Sequence, residues 1–389
     1  MGNRLEEDRQ RAIERYLDGE SPAAIYRSMG YSRQWFYKWL QRGMEGAEEW
    51  FRERSRRPHS SPTRYGAEIE EIVTLVRLSL YNRGLFCGAQ AIRWELEDLQ
   101  VSPLPSVRTI ARILARKQLT HRRTGRYEPK GKKYPQVVAE RPGDVHQSDF
   151  VGPCFLKGPV RFYSLNTVDV ASGRCAVESV PRRAGQTTVN ALWASWSRLG
   201  LPRHQQVDNE LVFYGSPVHP RGMGKLIRLC LLHGIEVWFI PQGEPWRNGV
   251  VEKFNDHWRQ KFLRRIVMRD EEDLKRESLK FEQRHNSQYR YSKLGGKTPL
   301  AALQASGMTL RFPPTPQPPQ CPLPKPETGR YHLIRFIRSD EILNVFGEKF
   351  KAPPETIYEY VRATIDVDRQ RLCVYLDHIA VDEHRYRVR

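Results

Sequence analysis

Three carboxylates lie at positions where predicted strands end or a predicted helix begins. Asp149 lies in a short β-rich segment (HQSDFVG), Asp208 ends a later strand (HQQVDNE), and Glu252 lies in the first turn of the helix that follows Asn248-Gly249. Carboxylate oxygens are ligands that Mg²⁺ prefers, and two Mg²⁺ ions about 3.5–4 Å apart can stabilise the attacking and leaving oxygens of an in-line phosphoryl displacement. The pattern therefore indicates metal-assisted phosphoryl-transfer chemistry.

Each acid, taken singly, also has an ordinary structural explanation. Asp208 could form a turn, Glu252 could be a first-turn carboxylate stabilised by the helix dipole, and Asp144 and Asp169 are rivals of Asp149 as strand-edge acids. Three carboxylates need a cation to share one site, because two of them about 4 Å apart repel by roughly 4 kcal/mol at an effective dielectric constant of 20. The same region has no glycine-rich phosphate loop and no GxSxG serine motif.

The charge of the chain favours a polyanionic partner. Its 389 residues include 64 Lys and Arg against 45 Asp and Glu, a formal net charge of +19. Ten of the basic residues fall between positions 105 and 135, where the only acid is Glu128. Nucleic acid is the partner that such a distribution indicates. A merely basic soluble protein is the alternative.

Two other classes of protein are excluded by the composition. No stretch approaches the roughly 18–20 consecutive apolar residues of a spanning helix, so we expect no membrane association. The six cysteines form no CxxC pair and no zinc-type cluster with histidine, so we expect reduced thiols, no zinc and no disulfide framework.

The N-terminal third of the sequence predicts two helix-turn-helix domains. In residues 1–51, Ser21-Pro22 begins a short helix that ends at Gly30, and Ser32 caps a third helix with Arg33 and Lys38 on its polar face. A second unit covers residues 67–119. The polar face of its last helix carries the three arginines Arg108, Arg112 and Arg116. We expect both polar faces to bind DNA; an ordinary helical bundle is the alternative.

Two basic linkers, 52–66 and 120–142, flank the second helical unit. The stretch 120–135 is too polar and too interrupted by glycine and proline to pack, so we expect it to follow DNA phosphates through residues such as Arg122 and Arg123. A solvated tether is the alternative.

The rest of the chain predicts an α/β domain followed by a small β module. Residues 143–268 read as three strands and then alternating helices and strands, which is typical of a mixed sheet. A helical extension is predicted at 269–311, a stiff proline-rich linker at 312–328, and a small all-β barrel at 329–389.

The sequence segments around Asp208 and Glu252 resemble those of a known protein family. VDNELVF and GIEVWFIPQGEPWRNGVVEKFN are similar to the catalytic core of DDE-class insertion-sequence transposases, closest to the IS3 and IS481 types. These are relatives of retroviral integrases with a ribonuclease-H-like α/β core. The resemblance covers about residues 85–305. Asp149, Asp208 and Glu252 fall on the family's three acids, and Lys253 and Asn255 match the residues that usually follow.

The resemblance implies a DNA transposase or integrase. Asp149, Asp208 and Glu252 would be catalytic and would hold two Mg²⁺ ions, or Mn²⁺ ions in vitro. The enzyme would cut transposon-end DNA by hydrolysis and join the 3′-hydroxyl to target DNA. Arg247, Asn248 and Lys253 would lie near the DNA, and the C-terminal module would be an SH3-like barrel.

The resemblance also implies partners and a location. They are double-stranded DNA, as terminal inverted repeats and target, and a second copy of the chain, since joining two ends needs at least a dimer. Whether a helper ATPase is needed stays open. The expected location is the cytoplasmic nucleoid of a prokaryote.

Two departures from the family pattern leave other functions open. Glu210 stands where the family has glycine, and the interval from Asp208 to Glu252 is longer than in integrases, which fits a loop insertion at 215–224. One alternative is a catalytically inert DNA-binding regulator derived from a transposase. The other is a ribonuclease-H-like nuclease that cuts without strand transfer.

Overall fold

The computed structural model describes residues 2–46, 48–53, 65–120, 132–157, 160–216, 218–219 and 221–389. The chain forms two compact units, Met1–Gly66 and Ala67–Arg389, here called the N-terminal unit and the main unit. Arg122 and Arg123 lie outside the described residues. Within the described ranges, no helix combines the length and apolar character needed to cross a bilayer.

The N-terminal unit is a three-helix domain. Its helices are α1 (Gly2–Leu17), α2 (Pro22–Ser28) and α3 (Arg33–Met44). Ser32 caps α3 as predicted, because its hydroxyl accepts a hydrogen bond from the Trp35 amide at 3.1 Å. Gly30, at φ +76°, makes the turn between α2 and α3. Ile13, Ile25 and Phe36 form the small core.

Three further helices open the main unit. They are α4 (Ala67–Asn82), α5 (Ala89–Asp98) and α6 (Val107–Arg116). They pack against the rest of the unit, because the Tyr289 hydroxyl donates to the Gly84 carbonyl at 2.6 Å and the Phe86 ring stacks on His257 with centroids 4.7 Å apart. The second helical unit is therefore joined to the α/β core by buried contacts.

One nine-stranded sheet forms the centre of the main unit. Its strands are β1 (Val145–Phe155), β2 (Arg161–Asp169), β3 (Cys175–Val180), β4 (His204–Val207), β5 (Glu236–Phe239), β6 (Arg330–Phe336), β9 (Tyr360–Asp366), β10 (Arg371–Leu376) and β11 (Ile379–Arg385), while β7 (Ile342–Val345) and β8 (Glu348–Lys351) form a separate ribbon. The order is β11-β10-β9-β6-β5-β4-β1-β2-β3. β1, β2 and β3 are antiparallel neighbours, whereas β4 and β5 run parallel to β1. The predicted mixed sheet is confirmed.

Helices cover both faces of this sheet. The helices of the core are α7 (Gly185–Leu199), α8 (Leu211–Tyr214), α9 (Lys225–Leu232), α10 (Gly249–Trp258), α11 (Glu271–Gln288) and α12 (Pro299–Ser306). One hydrophobic cluster contains residues of α7 and α9, and a second contains residues of α10 and α11. The helix predicted to follow Asn248-Gly249 is α10, continued by a π turn over Arg259–Leu263.

The C-terminal strands extend the core sheet, so the expected SH3-like barrel at 329–389 is not confirmed. β6 pairs in parallel with β5, with Val237 opposite Tyr331 and Phe239 opposite Leu333. Tyr331 and Leu333 are buried in the same cluster as α7 and α9. The physical reason is that β5 would otherwise present an apolar, unpaired edge to solvent.

The proline-rich stretch at 312–328 packs against the core along its length. Its Thr315 carbonyl accepts a hydrogen bond from the Trp193 indole at 3.0 Å, and Leu323 is buried. It therefore follows α7 rather than spacing two domains apart. All six cysteines, each of them described, are free thiols.

Two truncations test whether the C-terminal strands belong to the core. A chain ending at residue 328 should melt on the order of 10 °C lower than the full chain, or aggregate, because β5 and its apolar face lose their cover. A chain lacking residues 1–66 should keep the melting temperature of the main unit. Calorimetry and size-exclusion chromatography measure both. An unchanged melting temperature after the C-terminal truncation would contradict the single-sheet architecture.

Candidate active site

The sheet and α10 position the three predicted acids. Asp149 lies in β1, opposite Asn166 of β2, and Asp208 directly follows β4, the parallel neighbour of β1. Glu252 lies in the first turn of α10. The start of α10 is tied to β1, because the Gln147 side-chain oxygen accepts hydrogen bonds from the amides of the second and third residues of α10, both at 3.1 Å. Asn248 precedes α10 but its side chain caps none of the helix amides; Gln147 supplies these bonds instead.

The acids share one electrostatic neighbourhood. Burial, followed by repulsion from Asp208, Glu210 and Glu252, raises the pKa of Asp149 from 3.8 to about 7. Burial also raises the pKa of Asp208, and burial together with the charges of Asp256 and Asp208 raises that of Glu252. Each acid is thus destabilised as an anion by its surroundings.

The described side chains do not enclose a metal position. Among them, no three carboxylate, imidazole or thiolate groups are arranged to hold a metal ion. The donor chemistry nevertheless fits a hard divalent cation, because the groups are oxygen ligands whose desolvated like charges a cation would neutralise. The structure therefore brings the acids into one region without gathering them around a single point.

A chain of buried amides fixes Asp149. The Asn255 amide donates to Asp149 Oδ2 at 2.7 Å, and Asn255 Oδ1 accepts from the Asn166 amide at 2.8 Å. The Ser164 hydroxyl completes the chain by donating to Asn166 Oδ1 at 2.7 Å. One oxygen of Asp149 is thereby oriented, and the other is not part of this chain. The motif marked Asn255, but its partner could be found only from the tertiary structure.

A fourth acid lies beside Asp208. Asp208 Oδ1 accepts a hydrogen bond from the Glu210 amide at 3.0 Å, so the turn considered from the sequence is present and uses one carboxylate oxygen. Glu210 Oε1 is paired with Arg183 Nη1 at 2.7 Å. Burial and the charge of Asp208 raise the pKa of Glu210, whereas Arg183 opposes that rise. Arg183, which no sequence motif marked, is thus a cation at the edge of the site.

The two rival acids have structural partners. Asp144 Oδ2 accepts the Arg141 amide at 2.7 Å, and Asp169 Oδ1 accepts both the amide and the hydroxyl of Ser172 at 2.6 Å. Burial alone would raise the pKa of Asp169, but its hydrogen bonds and the neighbouring His146 lower it overall. Both acids stabilise turns, which favours Asp149 as the strand acid of the site.

The residues predicted to lie near DNA at this site differ in accessibility. Asn248 is only 2% exposed and donates to the Ser148 carbonyl at 3.4 Å, so it ties the loop to β1. The Arg247 guanidinium lies 3.8 Å from the Tyr134 ring centre and bonds Glu244 at 2.5 Å. Both have internal partners, and the prediction that they lie near DNA stays a prediction. Lys253 is exposed.

The same loop carries an exposed indole that was not among the candidate site residues predicted from the sequence. Trp246 is 48% exposed and directly precedes Arg247. The Pro-Trp dipeptide that precedes the Asn-Gly motif was the sequence feature that could have marked Trp246.

The predicted DNA-binding residues of α3 are exposed. Arg33 lies over the Tyr37 ring at 5.5 Å, and Lys38 is paired with Glu53 at 3.4 Å. These contacts leave a basic, solvent-facing surface on α3.

The arginines of α6 form a stripe at intervals of four residues. Arg108, Arg112 and Arg116 are all exposed, while Ile110 faces the core. Arg116 is paired with Glu70 at 2.5 Å. The two N-terminal arginines of the stripe are the stronger candidates for binding phosphates.

Two family models match the chain. A homeodomain-like domain matches residues 3–50, and an integrase core domain matches residues 233–299. The chain carries a homeodomain-like domain and an integrase core domain. These matches confirm the resemblance to the integrase-core family and the first predicted helix-turn-helix. The integrase core match includes Glu252, whereas Asp149 and Asp208 precede it.

Solved structures similar to this chain include a viral integrase core domain and a viral intasome. The HTLV-2 integrase catalytic core domain in complex with magnesium, in its trimeric form, is 19% identical over 42% of this chain and 99% of that chain, with a TM-score of 0.34. The simian T-cell lymphotropic virus intasome in complex with PP2A regulatory subunit B56 gamma is 16% identical over 74% of this chain and 88% of that chain, with a TM-score of 0.37.

The raised pKa of Asp149 predicts a pH-dependent cost to folding. As pH rises from 3.8 toward about 7, the carboxyl ionises in the unfolded chain before it does in the fold, so stability is lost across this window. Without divalent cations at pH 8, Asp149→Asn should therefore be more stable than the native chain by about 2–4 kcal/mol, and the gain should vanish near pH 3. Denaturant unfolding at several pH values measures the free energy of unfolding of both proteins.

The matched variant for this measurement is Asp256→Asn, which changes an exposed carboxylate on α10. It should show no comparable gain. Equal pH profiles for Asp149→Asn and the native chain would mean that neither burial nor the neighbouring acids raise the pKa of Asp149.

Proposed function

We propose that this protein is a DNA transposase or integrase that binds transposon-end DNA, cuts it by metal-dependent hydrolysis and joins the 3′-hydroxyl to target DNA. The observation that carries the proposal is the electrostatic coupling of Asp149 with Asp208 and Glu252 in a chain with an integrase core match. The homeodomain-like domain supports a DNA substrate.

Asp149, Asp208 and Glu252 would hold the divalent cations, two Mg²⁺ or Mn²⁺ ions. Bound there, the cations would supply Lewis-acid stabilisation of the attacking and leaving oxygens. The chain's own residues do the positioning: Asn255 orients Asp149, and Gln147 fixes the helix that carries Glu252. Exposed Lys253 would lie along the DNA backbone.

Binding of the DNA ends is assigned to α3 and α6. Their exposed basic residues Arg33, Lys38, Arg108 and Arg112 supply the positive charge that phosphates require. Joining two ends requires two active sites, so we propose at least a dimer on DNA. A helper ATPase has no support in the structure.

One experiment distinguishes a transposase from the two alternatives, a DNA-binding regulator and a nuclease that cuts without joining. A regulator derived from a transposase would bind ends without cutting them, and Glu210 beside Asp208 is the feature that favours it. A nuclease would nick without joining. Incubation with labelled candidate ends, plasmid target and Mg²⁺ distinguishes joined products, nicks and an intact shifted probe.

Loss of either metal-binding carboxylate should abolish joining. Asp208→Asn and Glu252→Gln should each reduce strand transfer at least about a hundredfold while end binding stays within about twofold, because charge toward the cation is lost but the DNA surfaces remain. Asp256→Asn, on the same helix as Glu252, is the control and should join normally. Joining by the Asp208→Asn protein at the native rate would refute the proposal; loss of end binding would make Asp208 a structural residue.

Removing the arginine stripe should weaken end binding in a salt-dependent way. Arg108→Ala combined with Arg112→Ala should reduce the slope of log K against log salt by about two, because two phosphate contacts are lost. Fluorescence anisotropy at several salt concentrations measures the slope. Arg83→Ala, which removes an exposed arginine paired with Glu95, is the control. An unchanged slope for the double variant would remove α6 from the DNA interface.

A further inference from the structure

A buried arginine of the C-terminal strands contacts the residue next to Asp208. Arg335 of β6 is 7% exposed, and its Nη2 donates to Asn209 Oδ1 at 3.0 Å. Its other nitrogens donate to the carbonyls of Asn344 at 3.0 Å and Ile334 at 2.9 Å. Among the described residues, no carboxylate forms a salt bridge with Arg335. Its burial is therefore not explained by a paired charge, and one of its three hydrogen bonds reaches the residue next to Asp208.

Asn209 connects this arginine to the end of β5. Its side-chain amide donates to the Ile240 carbonyl at 2.6 Å while its oxygen accepts from Arg335. The Asn209 side chain is thus held at both ends. Because Asp208 immediately precedes it and closes a turn onto Glu210, the direction of the Asp208 carboxylate depends on where residue 209 is held.

A tyrosine of the C-terminal strands contacts the loop that precedes α10. The Tyr360 hydroxyl, on β9, donates to Glu244 Oε1 at 2.5 Å and accepts from Arg247 Nη2 at 3.0 Å. Glu244 and Arg247 are also bonded to each other at 2.5 Å. This loop leads directly into α10, so Tyr360 fixes the approach of the helix that carries Glu252.

We propose that the C-terminal strands are a working part of the catalytic centre: Arg335 positions Asp208 through Asn209, and Tyr360 positions Glu252 through the Glu244–Arg247 loop. The inference rests on the proposed function, because it takes these two acids as the metal-binding groups. Arg335 and Tyr360 are positioning residues, since neither would touch the DNA or the cation. A segment that only bound DNA would need neither contact.

The test uses the full-length protein bound to end DNA. The variants are Arg335→Met, which keeps the buried stem without the guanidinium; Arg335→Lys, which restores a donor; and Tyr360→Phe, which removes only the hydroxyl. The control is Arg330→Met, in the same strand, where the native arginine is half exposed and pairs with Asp366 at 3.0 Å. Electron paramagnetic resonance of free Mn²⁺ measures metal binding, and single-turnover assays measure strand transfer.

Arg335→Met should weaken Mn²⁺ binding and slow strand transfer at saturating DNA by about tenfold or more, because misplaced supporting residues typically cost 10–100-fold. End binding should stay within about twofold. Arg335→Lys should recover part of the loss, Tyr360→Phe should weaken Mn²⁺ binding by about threefold or more, and Arg330→Met should behave as the native protein.

A folded Arg335→Met protein with native Mn²⁺ binding would overturn the assignment of Arg335. Should that variant fail to fold, Tyr360→Phe decides, and native Mn²⁺ binding by Tyr360→Phe would overturn the inference. The Mn²⁺-binding measurement does not depend on strand-transfer activity, so the two proposals can fail separately. A native protein that joins no DNA, but whose Mn²⁺ binding falls in these variants, would refute the proposed function and uphold the positioning role. A native complex that binds no Mn²⁺ would overturn both.

Discussion

Repulsion among partly buried carboxylates is the constraint on which the rest of this structure depends. Burial and then the charges of neighbouring acids oppose the ionisation of Asp149 and raise its pKa. Three of these carboxylates each have a polar partner: Asn255 donates to Asp149, a backbone amide donates to Asp208, and Arg183 pairs with Glu210. These contacts use one oxygen of each carboxylate. They keep like charges near one another without a cation, at a cost in stability that a cation would relieve.

Local features of the sequence were enough to predict the elements that carry these groups. Ser32 begins α3, and Ser106 caps α6 by accepting the Thr109 amide at 3.2 Å, because capping depends only on neighbouring residues. The strands and helices of the core were predicted from hydrophobic periodicity and from Gly and Pro boundaries. The four-residue helix α8 was missed because so short a segment carries no period. The acids themselves were found from their motif and from their places at the ends of elements.

The contacts that position the acids could not be predicted in the same way. Asn255 and Asp149 are 106 positions apart, Gln147 caps a helix 103 positions away, and Arg335 reaches Asn209 across 126 positions. Such pairs form only when the sheet order is known. The C-terminal strands show the same limit, because alternation of apolar residues predicts that strands form but does not say which edge they pair with. That choice was made by the apolar edge of β5.

The parallel pairing of β5 with β6 has a further consequence for the site. A parallel neighbour requires a long crossover connection, and here it covers residues 240–329. That crossover contains α10 with Glu252, and ends with the proline-rich stretch bonded along α7. Both ends of the segment that carries the third acid are therefore fixed by adjacent strands of one sheet. For this reason the C-terminal strands cannot move as an independent module without breaking the pairing of β5 with β6.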